Sequence, residues 1–211
     1  GRTSTVQQIL TEKGFDAAFI GTGAGLPKFF GIKGENYIGV FSANEYLTRA
    51  NLMKAYEKGV ADTPFYEAKT VVVCGGGNVA MDAARMALRL GAEKVYVVYR
   101  RTRNEMPARR EEVDHAEEEG VEFRFLENPV EILGDAETGK VTGIKALSYE
   151  LGEPDASGRR KPVEIKGSEH DIPCDAVIVA LGNNSNPLIP KTTSEINVDA
   201  KGHITVDENQ T

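Results

Sequence analysis

The chain has 211 residues, of which 40% are hydrophobic and 27% charged, the composition of an ordinary globular protein with a substantial core. Its net charge of -7 argues against general binding to nucleic acids or anionic membranes, because their phosphate groups would repel most of its surface. No apolar run is long enough to span a bilayer, and the N-terminal sequence GRTSTVQQ lacks the apolar core of a signal peptide. We therefore expect a cytoplasmic protein with no membrane partner.

The first third of the chain predicts a few short elements. A short amphipathic segment, Val6 to Lys13, is followed by Phe15 to Ile20, which its apolar residues predict to be a buried strand. Tyr37 to Phe41 predicts a brief strand, and the S-x-x-E pattern from Ser42 to Glu45 predicts the start of a helix. The apolar stripe of that helix, which we expect in the core, consists of Tyr46, Leu47, Leu52, Met53 and Tyr56.

The centre of the sequence predicts a strand, a phosphate-binding turn and a helix. Thr70 to Cys74 is an uninterrupted apolar run that suits a parallel strand covered on both faces. Gly75, Gly77 and Ala80 follow in GxGxxA spacing, in which the glycines allow a tight turn and close approach of a pyrophosphate. The helix from Asn78 to Leu90 would direct its free amide groups at the phosphates. The alternative interpretation is a glycine turn with a purely structural role.

The next strand, Lys94 to Tyr99, ends where a dinucleotide-binding fold selects its cofactor. A carboxylate there would accept a hydrogen bond from the ribose 2′-hydroxyl of NAD, but this chain has Arg100 and Arg101. Guanidinium groups can bind a 2′-phosphate through paired hydrogen bonds, so we expect NADP(H). The alternative interpretation is that both arginines belong to a solvated strand end.

The remainder of the chain completes an α/β pattern. An acidic helix, Glu111 to Glu119, whose charges we expect to face solvent, precedes a third strand, Val121 to Leu126. Three alternating segments then predict a three-stranded β-meander: Val130 to Leu133, Val141 to Tyr149 and Val163 to Ile165. Ala176 to Ala180 predicts a further buried strand. The expected fold class is α/β, a Rossmann-like parallel sheet flanked by helices with a meander packed on it.

The cysteines and histidines do not predict a metal site. Cys74 and Cys174 are far apart, form no CxxC pair and adjoin apolar strands, so we expect both to fill the core. The three histidines, His115, His170 and His203, stand among charged residues and are expected at the surface.

Several stretches resemble the pyridine-nucleotide domain of the glutamate synthase small-subunit family, within the two-dinucleotide-binding flavoprotein superfamily. They are FDAAFIGTGAG, SANEYL, VVVCGGGNVAMDAAR, VYVVYRRTRNEMPAR, CDAVIVALGNNSNP and GHITVDENQT. The resemblance covers nearly the whole chain, and YRR followed by EMPA is more specific than the glycine turn alone.

The resemblance implies a domain inserted into a larger flavoprotein. It implies that residues 1–36 remain from an FAD-binding domain, that residues 37–190 bind NADP(H), and that residues 191–211 return toward the FAD domain. FAD and iron–sulfur clusters would be present only in the parent protein, because the family's FAD fingerprint and its N-terminal cysteines are absent here. The expected partners are NADPH, the FAD domain of the same parent chain, and a large glutamate synthase subunit or a ferredoxin-type protein.

The resemblance also implies which residues contact the cofactor. The pyrophosphate would be held by Gly75, Gly76, Gly77, Asn78, Val79 and Ala80. The 2′-phosphate would be held by Arg100 and Arg101, with Arg109 as a third candidate, and the nicotinamide side would be lined by Ala180, Leu181 and Gly182. The implied reaction is hydride transfer from NADPH to flavin, which needs no catalytic acid, base or nucleophile from this chain. We expect the isolated chain to bind NADP(H) without turnover.

Other functions remain open from the sequence. The same stretches are similar to the flavin-containing subunit of ferredoxin:NADP oxidoreductases and to the amino-terminal half of dihydropyrimidine dehydrogenases. The chain would otherwise be a stand-alone NADP(H)-binding module without catalysis, or an interaction domain in which Arg100 and Arg101 bind a protein carboxylate.

Overall fold

The computed structural model describes residues 4–154 and 158–208. The chain divides into two compact units, one formed by Lys28–Leu181 and the other by Gly1–Pro27 with Gly182–Thr211. Positions 1–3 and 209–211, at the ends of the two predicted flanking segments, lie outside the described residues, as do positions 155–157 in the turn before the third predicted meander strand. The domain boundaries after residues 36 and 190, expected from the family resemblance, stay a prediction.

The described residues of the two units form short helices and strands. The helices are α1 (Val6–Thr11), α2 (Ala43–Leu47), α3 (Asn78–Arg89), α4 (Arg110–Glu118) and α5 (Leu188–Thr192), with a π-helical turn at Thr48–Leu52 and a 3-10 turn at Arg103–Glu105. The strands are β1 (Leu26–Pro27), β2 (Val40–Ser42), β3 (Thr70–Cys74), β4 (Lys94–Tyr99), β5 (Glu122–Phe125), β6 (Glu127–Gly134), β7 (Val141–Pro154), β8 (Arg160–Glu164), β9 (His170–Pro173), β10 (Ala176–Val179) and β11 (Asn183–Asn184).

A five-stranded parallel sheet forms the centre of the larger unit. Its strand order is β2-β10-β3-β4-β5, and every neighbouring pair is parallel. β3 lies between β10 and β4, and its residues Val71 to Val73 are almost completely inaccessible to solvent. The predicted α/β class with a parallel sheet is confirmed.

Successive residues of each strand face opposite sides of the sheet and therefore enter two separate cores. Val71 and Val73 pack with the alanine face of α3 and with α2 and α4, whereas Val72 and Cys74 pack with the antiparallel strands. Helices thus cover one face of the sheet and the meander covers the other. The small side chains of Ala80, Ala83, Ala84 and Ala87 allow α3 to lie close to the sheet.

The antiparallel layer contains one strand more than the sequence predicted. β6, β7 and β8 pair in that order, and β9 adds to β7 beside Gly143 to Ala146. The segment His170–Pro173 has one buried apolar residue, Ile172, and ends in a proline, so it carries no apolar run that would mark a strand. Its pairing depends on the long neighbouring strand β7 rather than on its own sequence.

Two sequence predictions in the first third of the chain were wrong. Phe15 to Ile20 is not a strand, because none of the described strands pairs with this segment. The side chain of Phe19 within it is 98% exposed. The predicted helical stripe also fails after Leu47. There the helix changes to a π-helical turn, whose wider spacing rotates the later side chains, and Leu52 is 81% exposed while Met53 and Tyr56 are about half exposed.

None of the helices within residues 4–154 and 158–208 combines the length and apolar character needed to cross a bilayer.

Candidate functional site

The glycine turn, residues 75–77, joins β3 to α3 and is held between the neighbouring strands. The Gly75 amide donates to the carbonyl oxygen of Val98 at 3.1 Å, and the amide of Ala180 donates to the carbonyl of Cys74 at 2.9 Å. Gly75 has a φ of +148°, and a Cβ there would lie 2.4 Å from the Ala180 carbonyl oxygen. The fold therefore requires a glycine at position 75, whether or not a ligand binds.

Gly76 is required by a side chain from the end of β4. A Cβ at this position would lie 2.7 Å from the ring of Tyr99, and the Tyr99 hydroxyl donates to the Glu105 carbonyl oxygen at 2.8 Å. The ring is thus fixed at both ends, packed on the turn and bonded to the following loop.

Gly77 differs from its two neighbours. Its backbone, with φ -92° and ψ 173°, is open to any residue, and a Cβ there would meet no atom within 4 Å. Gly77 is also the N-cap of α3, and no side chain caps this helix. Among the described residues, the amides of Asn78 and Val79 have no hydrogen-bond partner. The turn therefore presents free donors and an open space that a Cβ would occupy, the features expected of a phosphate cradle.

The other residues nominated for the pyrophosphate take different positions at the start of α3. Ala80 is completely buried against the sheet, whereas Val79 is 43% exposed beside the turn. The Asn78 side-chain oxygen, Oδ1, accepts the backbone N–H of Arg109 at 2.8 Å. The contact of Asn78 with a residue 31 positions later was not expected from the sequence.

The two arginines at the end of β4 have different surroundings. Arg101 is only 8% exposed, and its Nε donates to the carbonyl oxygen of Arg160 at 2.8 Å. Arg100 is exposed. Burial raises the pKa of Tyr149 on β7, and the positive charge of Arg100 acts against that rise. The structure thus brings both arginines to the end of β4, with Arg101 held by the meander.

A loop of residues 102–109 lies beside the glycine turn. The Ala108 amide donates to the Gly76 carbonyl at 3.0 Å, so the loop is bonded directly to the turn. Arg103 is paired with Asp114 and Glu117 of α4. Arg109 is exposed and forms no ion pair within the described part of the chain.

Of the three residues predicted to line the nicotinamide side, two belong to the larger unit and one to the other unit. Ala180 directly follows β10 and contacts Gly75, as described above, and Leu181 is the last residue of the larger unit. Gly182 belongs to the other unit.

A carboxylate in the segment before β2 organises three backbone amides, a feature not predicted from the sequence. The Glu35 side chain accepts from the amides of Phe30, Gly31 and Ile32 at 2.6, 2.9 and 3.2 Å. The amides thereby receive a charged acceptor, which fixes the conformation of this glycine-containing loop.

The acidic face of α4 is not simply solvated, which corrects a further prediction. Glu112 and Glu119 pair with Arg85 on α3, and Glu119 also pairs with Arg89. Hydrogen bonds from Arg89 and Arg85 hold the pKa of Glu119 below its ordinary value. The charges therefore join the two helices that pack on the same face of the sheet.

Both thiols are buried, as predicted. Burial raises the pKa of both thiols, that of Cys174 to about 12, so neither is a reactive nucleophile. His115 and His203 are exposed, but His170 is half-buried, with Nε2 3.5 Å from a Glu127 carboxylate oxygen. No cluster of three or more potential metal-ligating side chains occurs in residues 4–154 and 158–208.

A large cleft of the larger unit lies at the opposite end of the sheet. Its volume is about 800 Å³, and it is lined by residues such as Tyr56, Phe65, Met86 and Glu93. These residues adjoin the amino ends of β3 and β4 and the carboxyl end of α3, where the helix presents carbonyl groups rather than amides. No residue nominated for the cofactor lines this cleft, and the candidate site stays at the glycine turn.

Comparison with known families decides the relationship of the chain. The model of the pyridine nucleotide-disulphide oxidoreductase family matches residues 3–211. The chain belongs to this family.

Within the pyridine nucleotide-disulphide oxidoreductase family, the chain is similar to several curated proteins. It is 40% identical over 209 residues to the small chain of glutamate synthase (NADPH) from Halomonas elongata, covering 99% of this chain and 43% of that protein. It is 42% identical over 198 residues to the NADP(+)-dependent formate dehydrogenase subunit beta of Moorella thermoacetica, covering 93% and 26%. The predicted resemblance to the glutamate synthase small subunit is confirmed, and the chain spans less than half the length of these relatives.

Solved structures of pyridine nucleotide-disulphide oxidoreductase type share the fold. Mycobacterium tuberculosis FprA in complex with NADPH matches with a TM-score of 0.64 and 21% identity, over 84% of this chain and 51% of that chain. T. acidophilum thioredoxin reductase matches with a TM-score of 0.58 and 22% identity, over 87% and 50%. At these identities the likeness concerns the fold alone.

Proposed function

We propose that this chain is the NADP(H)-binding domain of an FAD- and iron–sulfur-dependent oxidoreductase of the glutamate synthase small-subunit type. The observation that carries the proposal is Gly77. Neither its backbone conformation nor any neighbouring atom requires a glycine, and the position opens onto free amides at the start of α3. A pyrophosphate that approaches the backbone closely supplies the missing reason for the glycine.

The residues at the end of β4 support the choice of NADP(H) over NAD(H). A 2′-phosphate carries close to two negative charges, and the site offers the guanidinium of Arg100 and, from the loop of residues 102–109, that of Arg109. We assign direct contact with the 2′-phosphate to these exposed arginines. Arg101, which is buried and bonded to Arg160, contributes positive charge and holds the end of β4.

When bound, NADPH supplies a hydride, and in the proposed parent protein the flavin accepts it. The residues of this chain bind and orient the nucleotide. The turn and the start of α3 hold the phosphates, and Ala180 and Leu181, at the end of β10, together with Gly182 after them, line the nicotinamide side. None of these residues needs to accept or donate a proton. FAD and the iron–sulfur clusters are assigned to the longer parent protein.

The names of the relatives favour NADP(H) and an electron-transfer role. They include a glutamate synthase (NADPH) small chain, a formate dehydrogenase subunit that is NADP(+)-dependent and the NADPH-Fe(3+) oxidoreductase subunit beta of Geobacter sulfurreducens, which is 44% identical over 173 residues.

The identity levels also favour a second candidate. The formate dehydrogenase and NADPH-Fe(3+) oxidoreductase subunits are as similar to this chain as the glutamate synthase chains are. The alternative is therefore a flavin-containing subunit that exchanges electrons with a ferredoxin-type partner. Electron transfer from the full-length protein to a large glutamate synthase subunit or to a ferredoxin, measured side by side, distinguishes the two.

Calorimetric titration of the purified chain with NADPH and NADH tests the nucleotide assignment. We expect NADPH to bind at least tenfold more tightly, a difference of about 1.4 kcal/mol. Replacing Arg100 and Arg109 together by alanine should weaken NADPH binding and leave NADH binding nearly unchanged, because both side chains are exposed. Equal affinities of the unmodified chain for the two nucleotides would contradict the 2′-phosphate assignment. Binding of neither would favour the interaction domain.

A further inference from the structure

Two consecutive amides of the loop of residues 102–109 are bonded to the glycine turn and the start of α3. The Ala108 amide donates to the Gly76 carbonyl at 3.0 Å, and the Arg109 amide donates to Asn78 Oδ1 at 2.8 Å. The first bond joins backbone to backbone. The second depends on a side chain, and Asn78 therefore sets the position of the Arg109 backbone relative to the turn.

The earlier part of the same loop is fixed without Asn78. The Thr102 side chain and the Glu105 side chain cap the 3-10 turn reciprocally, with Thr102 Oγ1 2.5 Å from Glu105 Oε2. The Glu105 carbonyl accepts from the Tyr99 hydroxyl, and Arg103 pairs with α4. Losing the Asn78 bond would consequently release the end of the loop while its start stays in place.

The end of the loop that would be released carries Arg109, whose guanidinium is assigned to the 2′-phosphate. Arg103 is already committed to Asp114 and Glu117, whereas Arg109 is exposed and has no acidic partner in the described residues. Arg109 is also the N-cap of α4 with an extended backbone, φ -62° and ψ 142°, so its side chain leaves the chain just before the helix begins. Because no acidic side chain in the described residues fixes the Arg109 guanidinium, its position depends on the position of the Arg109 backbone.

We propose that Asn78 is a positioning residue for NADP(H) specificity: through the Arg109 amide it places the Arg109 guanidinium for the 2′-phosphate, rather than serving only as a pyrophosphate ligand. This inference rests on the proposed function. It makes a sharp distinction, because the pyrophosphate is common to NADPH and NADH and the 2′-phosphate is not. Losing a pyrophosphate ligand weakens both nucleotides equally, and losing the position of Arg109 weakens NADPH alone.

The first test compares nucleotide affinities by calorimetry. For Asn78→Ala, the ratio of NADPH to NADH affinity should fall about fivefold, the effect of one hydrogen bond. In the background of Arg109→Ala, the same substitution should leave the ratio unchanged. The matched control is Asn104→Ala, which removes an exposed asparagine of the same loop that has no hydrogen-bond partner in the described residues. Equal loss of both nucleotides in Asn78→Ala, or a fall in the ratio that persists in the Arg109→Ala background, overturns the proposal.

The second test needs no nucleotide. Amide hydrogen exchange, followed by NMR on the free chain, should speed up at Arg109 in Asn78→Ala while the Ala108 amide, bonded to Gly76, keeps its protection. Asn78→Asp retains an oxygen acceptor for the Arg109 amide and should preserve the Arg109 protection. Unchanged Arg109 exchange in Asn78→Ala refutes the positioning role. A chain that binds neither nucleotide, yet shows the exchange effect, instead contradicts the proposed function and removes the specificity role with it.

Discussion

Replacing Gly77 by alanine is the most direct perturbation of the candidate site. In the structure, the added methyl group meets no atom within 4 Å, and the backbone of Gly77 suits alanine. Because alanine is a poorer N-cap than glycine, the substitution lowers the free energy of unfolding by up to about 1 kcal/mol. Because alanine reduces the conformational entropy of the unfolded chain, it also raises the free energy of unfolding by about 0.4–1 kcal/mol. The free energy of unfolding should therefore change by less than about 1 kcal/mol.

Nucleotide binding should respond quite differently. The methyl group projects into the space assigned to the pyrophosphate, so both NADPH and NADH should bind at least tenfold more weakly, a loss of about 1.4 kcal/mol or more. The assay is calorimetric titration with each nucleotide, accompanied by urea denaturation of the same samples.

Gly75→Ala is the matched structural comparison. A side chain there combines a φ of +148° with a contact of 2.4 Å to the Ala180 carbonyl oxygen, and because this atom belongs to the backbone, no side-chain rotation can relieve the contact. We expect a loss of about 3 kcal/mol or more in the free energy of unfolding. If Gly77→Ala folds like the unmodified chain and binds both nucleotides with unchanged affinity, the cradle is not where the pyrophosphate binds and the reasoning fails.

Three further predictions concern stability and reactivity. Arg101→Ala should lower the free energy of unfolding, measured in urea, by about 2 kcal/mol, because the Arg160 carbonyl loses its charged hydrogen-bond donor and a buried side chain is removed. Arg100→Ala, at an exposed position, should change it by less than about 0.5 kcal/mol, and equal losses would contradict the difference in their surroundings. Glu119→Gln should lower the free energy of unfolding by about 0.5 kcal/mol at pH 7, a small loss because solvent screens the ion pairs of Glu119. Because the pKa of Glu119 is lowered on folding, that difference should disappear as the pH falls below about 4, and a difference that grows in acid would refute the pairing. Cys74 and Cys174 should resist a thiol reagent at pH 8 until the chain unfolds, because burial raises the pKa of both; rapid labelling of the folded chain would show that one is accessible.

The sequence predicted those elements whose apolar pattern is local and strong. β3, α3 and β4 lie within one or two residues of their predicted bounds, because a buried strand and an alanine-faced helix are each encoded in a continuous run. Phe15 to Ile20 carries a similar apolar signal, but a strand also needs a neighbour, and no described strand supplies one. The opposite error occurred at β9, where pairing with β7 makes a strand of a segment without an apolar run.

The candidate site was predictable as a turn but not as a set of contacts. The GxGxxA spacing identified Gly75 and Gly77, and the family resemblance added Gly76, yet neither separated Gly77 from the two glycines that the fold itself requires. Those reasons come from Tyr99 and Ala180, which are distant in sequence. In the same way, adjacent arginines look equivalent in YRR, but in the structure Arg101 is buried and bonded to the distant Arg160 carbonyl, whereas Arg100 is exposed.

The position of β10 has a consequence for biosynthesis. This strand, residues 176–179, separates β2 from β3 in the central sheet, although it is the last strand of the larger unit to leave the ribosome. Until it emerges, β2 has no neighbour in that sheet and one edge of β3 is bare, so a nascent chain that stops short of residue 176 exposes an unpaired, valine-rich edge. The unit must therefore finish folding after translation of nearly its whole length, and its demand for chaperones should fall sharply once β10 is available.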